Sequence, residues 1–315
     1  MRHILIVNPA AGRENSLGKV TAEAAEVFGA RGEDHEIYVT RCRMDAARYI
    51  HEAAACSREE LRIYACGGDG TLNECAGAAA GLAHVAVTHY PCGTGNDFIR
   101  TFGDEQDRFR SLAELADGEV RPLDIMRCGD RCSLNICSVG VDARIGADVH
   151  KYSGLPLIGG AAGYVVSTAV HFFRGLSSPM RITAGGQVFD GDMTLVCACN
   201  GRYYGGGFNP VPDARPDDGL LDILVVPGIT RRIFARVIVP YARGHYRNYP
   251  QYLTHIRSDR LRIEAEEPFI VNLDGESVRR KTLDIEISAG GLRFLVPRGM
   301  KFFEEKDSRE TCEIE

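Results

Sequence analysis

The stretch Leu61-Arg62-Ile63-Tyr64-Ala65-Cys66-Gly67-Gly68-Asp69-Gly70-Thr71-Leu72-Asn73-Glu74 decides the reading of the fold. Residues 61–66 have the short, mostly apolar composition of a buried strand, and residues 72–80 read as a helix. Between them lie three glycines, an acid and a threonine. Glycine has no Cβ, so this backbone can come close to a phosphate. Successive amides in a tight turn can point at one anion, and the helix start that follows favours negative charge. Thr71 adds a hydroxyl donor. Asp69 is out of place in an anion site unless a cation accompanies the phosphate, and Mg²⁺, which prefers a few carboxylates plus phosphate oxygens, is the expected one. The alternative is a plain strand-to-helix turn, for which an acid among three glycines is a poor choice.

The flanking sequence repeats the alternation. Residues 4–7, 36–40 and 85–90 read as strands. Residues 17–28 and 45–55 read as helices, the first ended by Gly29 and Gly32. Strands alternating with helices predict a parallel sheet covered on both faces. Three loops follow strand ends: Asn8-Pro9-Ala10-Ala11-Gly12, the Gly67–Glu74 segment, and Gly93-Thr94-Gly95-Asn96-Asp97. In an open parallel sheet, ligands bind beyond the carboxyl ends of the strands, so the three should meet at one edge. The central loop has neither the Gly-Lys-Ser/Thr of a Walker site nor a Gly-x-Gly-x-x-Gly fingerprint.

Near residue 120 the pattern changes. Strand-like runs dominate at 123–127, 133–138, 180–183, 193–198, 221–226, 261–264, 269–272 and 283–287, with helices at 161–174 and 231–241. Such a sequence predicts antiparallel sheets packed as a β-sandwich. The expected division is an α/β phosphate-binding domain over 1–125, a β-rich domain over 126–300 and an acidic tail over 301–315.

A chain of 315 residues suits two domains. Its net charge of −6 disfavours nucleic acid as a partner. The eleven cysteines contain no Cys-x-x-Cys pair, which points to reduced thiols and a cytoplasmic protein. No secretory signal is legible at the start. Residues 153–173 lack Asp, Glu, Lys and Arg, but Pro156 and several glycines interrupt them. A membrane span needs about 20 mainly apolar residues, so a buried helix or a pocket wall is the better reading.

The loops resemble the diacylglycerol kinase catalytic-domain family, which includes bacterial lipid kinases, sphingosine kinases and ceramide kinases. The resemblance rests on Asn8–Gly12, Gly67-Gly68-Asp69-Gly70-Thr71-Leu72-Asn73-Glu74 and Gly93-Thr94-Gly95-Asn96-Asp97-Phe98. It continues in the second domain through Asp217-Asp218-Gly219-Leu220-Leu221-Asp222 and Leu273-Asp274-Gly275-Glu276. It implies an ATP-dependent lipid kinase acting on diacylglycerol or a related lipid alcohol, with a nucleotide site between the domains. Asn8, Pro9, Ala10, Ala11, Gly12 and Thr40 would line the nucleotide. Gly68, Asp69, Gly70, Thr71, Leu72, Asn73 and Glu74 would hold the phosphates, and Thr94 would complete the pocket. Asp218, with the carbonyls of Arg215 and Leu220, would form a structural Mg²⁺ site; a turn before a strand is the bland alternative. Glu276 matches the position of the proton acceptor, with Asp274 as the alternative base. Asp69 and Asp97 would organise Mg²⁺ and the phosphates. Many relatives carry Ser and Lys where this chain has Ala11, Gly12 and Arg13, so Arg13 or Lys19 is expected to take the cationic role.

The acceptor chain needs an apolar pocket. Residues 155–173 and the Gly205-Gly206-Gly207-Phe208 loop are candidates, with ordinary core as their alternative. Arg231, Arg232 and Arg236 could face anionic headgroups, or simply solvent. Peripheral membrane contact and a homodimer are the further expected associations. Two other functions share the phosphate loop: an NAD kinase, which would lack the paired Gly-Thr-Gly-Asn-Asp-Phe and Leu-Asp-Gly-Glu segments, and a nucleotide- and lipid-sensing protein without turnover.

Overall fold

The fold comes from a computed structural model, which describes residues 1–12, 16–93, 95–153, 172 and 175–304. The chain divides into two compact units, Met1–Leu123 with Gly290–Glu315, and Asp124–Ala289. The expected second domain ran to residue 300. Residues 290–300 instead belong with the first unit, because the last strand ends there beside a strand of the parallel sheet.

The first unit is built on β1 (Arg2–Val7), β2 (His35–Val39), β3 (Leu61–Gly67) and β4 (Val85–Pro91). They are parallel in the order β2-β1-β3-β4, and Phe294 of the returning chain pairs in parallel with Val87. Ile4, Leu5, Ile6, Leu61, Ile63, Val85 and Val87 are fully buried. Strands covered on both faces need such continuous apolar runs, and that is why these were legible. The helices are α1 (Ser16–Arg31), α2 (Asp45–Cys56), α3 (Asp69–Ala79) and α4 (Leu112–Ala116). Two differ from expectation in their bounds, and α4 was not anticipated. α1 runs through Gly29 and stops before Gly32, whose φ of 63° no helix accepts. α3 begins at Asp69, so the acid sits in the first turn of the helix. A 3-10 helix over Phe98–Arg110 was not anticipated.

His3 lies in this core, 2% exposed, with Nδ1 2.8 Å from the Tyr64 hydroxyl and its ring 4.5 Å from that of Phe28. Burial lowers its pKa to about 4, against the opposing pull of Glu33. Below pH 6.5 the unfolded chain binds a proton that the native imidazole refuses. Stability is therefore lost as pH falls from 6.5 toward 4, by roughly 3 kcal/mol at the lower end. Urea unfolding of His3→Gln should show a flatter pH slope than the parent over that window. Equal slopes would remove His3 from the account.

The second unit contains β5 from Asp124 on (the whole strand is Glu119–Cys128), β6 (Arg131–Ser133), β7 (Ile136–Gly140), α5 (Val141–Ser153), β8 (Ser178–Ala184), β9 (Gln187–Cys199), β10 (Leu221–Pro227), α6 (Arg231–Ala242), β11 (Thr254–Ser258), β12 (Arg260–Leu273) and β13 (Glu276–Val296) as far as Ala289. Two long strands serve both layers of the sandwich. β9 pairs with β8 through its first half and with β7 and β10 through its second. β12 does the same, pairing with β8 at residues 261–264 and with β7 at 271–273. Val139, Ile182, Val196, Ile263, Val271 and Leu283 fill the space between the layers. The runs 261–264 and 269–272 thus form one strand with an irregularity between Glu264 and Phe269. α5 and β11 were not anticipated, and the expected helix at 161–174 lies outside the described residues. Among the described residues ten cysteines are free thiols, most of them buried. Among the described residues no helix is long and apolar enough to cross a membrane.

Candidate active site

The parallel strands of the first unit end level with one another. Val7 is registered with Val39 and Cys66, and Gly67 with Pro91. Asn8, Thr40, Gly68 and Cys92 therefore leave the sheet from one edge. The Thr40 amide donates to the Val7 carbonyl at 2.9 Å, which sets Thr40 beside the first loop. Asn8 closes that loop, because its Oδ1 accepts from the Ala10 amide at 3.0 Å, and its Nδ2 donates to Thr71 Oγ1 at 3.1 Å. Pro9 and Ala10 are exposed and Ala11 is half-buried. Gly12 has φ of 83°, and a Cβ there would lie 2.4 Å from the Cys92 carbonyl oxygen. The first and third loops can meet only with glycine at that position.

The Gly67 carbonyl joins the second loop to the third. It accepts from the amides of Cys92 at 2.8 Å and Gly93 at 3.1 Å, and from His89 Nε2 at 3.1 Å. A Cβ on Gly93 would fall 2.6 Å from Gly68 Cα, so two backbones touch there without side chains between them. Gly68 is extended and the Leu72 amide bonds its carbonyl at 3.1 Å, the first turn of α3. The amides of Asp69, Gly70 and Thr71 precede that bond and have no acceptor within the helix. They form an anion-accepting helix start with Gly70 exposed. Leu72 is buried in the core, so only its backbone serves the loop; Asn73 and Glu74 follow as half-buried positions of the helix.

Asp69 links this start to the third loop. Its Oδ1 accepts from the Phe98 amide at 3.2 Å, while Oδ2 takes no hydrogen bond among the described residues. Phe98 is held by edge-on contacts with Phe294 at 5.5 Å and Phe102 at 5.9 Å. Asp97 is buried and lies 3.2 Å from Arg100 Nη1. Asn96 takes φ of 48° and donates to the Gly93 carbonyl at 2.7 Å. Thr94 and Arg13 lie outside the described residues. Lys19 is exposed on α1, close enough to Cys92 for its charge to pull the thiol's pKa down against the rise caused by burial.

In the second unit, the turn after β12 has positive φ at both central residues, 48° at Asp274 and 91° at Gly275. That is the two-residue hairpin geometry, and it pairs Leu273 with Glu276. The Asp274 carboxylate accepts from the amides of Leu134 at 2.7 Å, Asn135 at 3.2 Å and Ile136 at 2.7 Å. Burial raises its pKa to about 6 against the pull of these donors. Glu276 is less enclosed, and its Oε2 lies 2.9 Å from Arg131 Nη1.

The segment 215–222 of the same unit gathers acids. Asp218 accepts from the Leu220 amide at 3.1 Å and pairs with Arg257. The Asp124 carboxylate accepts from the Gly219 amide at 2.7 Å, and Asp222 lies 2.7 Å from His255 Nε2. Burial, with smaller contributions from Asp222 and Asp124, raises the Asp218 pKa to about 6 although Arg257 opposes it. Arg215 directs its side chain to Asp217, at 2.9 Å. No group of three or more His, Cys, Asp or Glu side chains converges among the described residues. The expected set of one carboxylate and two carbonyls is all oxygen, as a hard cation prefers, and the strain on the Asp218 charge is what a cation relieves. An all-oxygen set of this kind is one that Mg²⁺ accepts.

An apolar cavity of about 590 Å³ opens in the second unit. Val141 and Ile145 of α5, Leu195 of β9, Val226 of β10, and Phe234 and Val237 of α6 wall it, and Phe172 and Phe208 belong to it as well. Both lipid-pocket candidates thus reach it through one residue each; the remainder of 155–173 is outside the described residues.

Two family patterns match the chain. The Diacylglycerol kinase catalytic domain matches residues 2–128, and the YegS C-terminal NAD kinase beta sandwich-like domain matches residues 135–296. A Pseudomonas aeruginosa PAO1 protein named "Probable lipid kinase YegS-like" is 31% identical over 275 residues, 87% of this chain and 88% of its own. The chain belongs to the bacterial diacylglycerol kinase and YegS-like lipid kinase family. The Bacillus subtilis strain 168 protein named Diacylglycerol kinase is 29% identical over 86% of this chain and 88% of its own. A solved diacylglycerol kinase structure from Bacillus anthracis str. Sterne superposes with a TM-score of 0.68 at 25% identity, covering 95% of this chain and 98% of that one.

This lipid kinase, an enzyme that transfers phosphate to an alcohol, has site features that sequence reasoning missed. His89 is fully buried beneath the phosphate loop, and burial holds it neutral. Its place two residues before the end of β4 was the available signal. The Phe98 amide and Arg131 were missed because each acts through a partner far away in sequence.

Proposed function

We propose that this lipid kinase transfers the γ-phosphate of ATP to the hydroxyl of diacylglycerol or a closely related lipid alcohol. The observation that carries the lipid side is the apolar cavity, whose lining offers an acyl chain almost no polar competition. The phosphate loop supports ATP. Its helix-start amides and the Thr71 hydroxyl receive phosphate oxygens, and Asp69, with one carboxylate oxygen free of donors, suits a phosphate-bound Mg²⁺. A cation there would neutralise charge developing on the transferred group. A second Mg²⁺ at Asp218 and the carbonyls of Arg215 and Leu220 would fix the 215–220 segment.

Glu276 takes the proton from the lipid hydroxyl as its oxygen attacks phosphorus. Asp274 is the weaker candidate, because three amides already occupy its carboxylate; it holds the turn from which Glu276 projects. Arg131 orients the base. Asn8, Thr40 and Thr94 line the nucleotide. Contact with the membrane supplies the acceptor, as an insoluble substrate requires.

Phosphate transfer from ATP to diacylglycerol in mixed micelles, with NAD as the competing acceptor, tests this reading; transfer to NAD alone would overturn it. The cavity makes a finer expectation. Ile238→Trp adds bulk to its wall, so kcat/KM for long-chain diacylglycerol should fall about tenfold while a short-chain analogue loses far less. Equal losses for both chains would place the acyl groups elsewhere.

A further inference from the structure

The chain carries a net charge of −6, yet residues 223–258 contain six arginines, two histidines and no Asp or Glu. The centre of this stretch is α6, Arg231–Ala242. Arg232, Arg236, Val239 and Arg243 follow one another at spacings of four, three and four, which sets them along one face of the helix. All four are exposed, and Val239 is 53% exposed although apolar. The opposite face buries Phe234, Val237 and Tyr241.

The charges on the outer face do not serve the helix. Arg231 and Arg232 occupy its first turn, where the dipole is positive and a cation is unfavourable, and no acid stands there to offset them. Among the described residues no acidic side chain pairs with Arg232, Arg236 or Arg243, whereas Arg247 and Arg257 are paired with Asp213 and Asp218. An exposed apolar residue between unpaired arginines is the composition of an interfacial helix.

The cavity shares this helix. Phe234, Val237 and Ile238 line it from within, and Ala235, Val239 and Arg243 line it at the exposed face. The acyl cavity therefore opens beside the basic stripe. A sequence-neutral anionic polymer would satisfy the arginines but would have no use for Val239 or for an apolar opening next to it.

We infer that α6 is the membrane-docking element: Arg232, Arg236 and Arg243 engage an anionic lipid surface, Val239 enters the headgroup layer, and the cavity mouth meets the bilayer. This rests on the lipid-kinase reading for its purpose but not for its measurement. Each arginine near an anionic surface is worth about a fivefold gain in binding. The full-length protein should co-sediment with vesicles of phosphatidylcholine containing phosphatidylglycerol, should not do so with phosphatidylcholine alone, and should be released by salt. Arg232→Glu with Arg236→Glu should bind those vesicles at least about tenfold more weakly, with circular dichroism unchanged. Arg232→Gln with Arg236→Gln should fall between. Transfer to a short-chain diacylglycerol in neutral micelles should stay within about twofold of the parent for both. Undiminished vesicle binding by the Glu pair, or binding of duplex nucleic acid in place of vesicles, would overturn the inference. Vesicle binding that follows the arginines while no lipid is phosphorylated would leave the docking element standing and sink the kinase reading.

Discussion

Glu276→Gln is expected to lower kcat by roughly 10²–10⁴-fold while leaving ATP affinity unchanged, because the amide cannot accept the hydroxyl proton during transfer. The substitution keeps size and shape, and the turn depends on Asp274 and Gly275, not on the charge at 276. The neighbouring carboxylate supplies the contrast. Asp274→Asn leaves one acceptor oxygen for amides that now use two, so it should lower thermal stability as well as turnover. Nucleotide binding measured by calorimetry, next to single-turnover transfer, separates the two. A Glu276→Gln enzyme with the parent's single-turnover rate would move the base elsewhere.

Gly93→Ala should weaken ATP binding and slow transfer by on the order of 10²-fold with little loss of the fold. The added Cβ would sit 2.6 Å from Gly68 Cα and 3.1 Å from Asn96 Oδ1. The first contact is backbone against backbone, so no rotamer change relieves it; the phosphate loop must move away from the third loop. That movement breaks the bonds from Cys92 and Gly93 to the Gly67 carbonyl and misdirects the amides that open α3. Positioning errors of about 1 Å in such a site cost on the order of 10²-fold. Gly81→Ala is the control. Gly81, unlike Gly93, has a positive φ of 79°, but a Cβ there meets nothing within 4 Å, so it should cost stability and spare nucleotide binding. Equal ATP affinity in Gly93→Ala and the parent would show that the close approach of the two loops is incidental.

The parallel sheet was legible because its strands are buried on both faces and its loops carry glycine where backbone meets backbone. Asp69 was legible as an oddity of composition, but its place inside the helix was not, since a first-turn acid and a loop acid read alike. The 3-10 helix Phe98–Arg110 hid because its phenylalanines answer to Phe294, almost two hundred residues later. The same distance concealed Asp274: its three amide partners come from residues 134–136, and only the folded chain brings them to one carboxylate. The return of residues 290–296 to the first unit shows one parallel pairing, Phe294 with Val87, within a strand otherwise patterned like its antiparallel neighbours. The cavity is the extreme case. Its wall draws on separate strands and helices, each of which reads alone as ordinary core.

In the proposed reaction phosphate leaves ATP for a lipid hydroxyl. Incubation of the purified protein with γ-³²P-ATP, Mg²⁺ and a total lipid extract, followed by chromatography of the organic phase, tests it most directly. The expected product is a labelled lipid phosphomonoester that co-migrates with phosphorylated diacylglycerol or a related lipid alcohol and disappears with Glu276→Gln. Label confined to the aqueous phase, with ATP bound and intact, would contradict it.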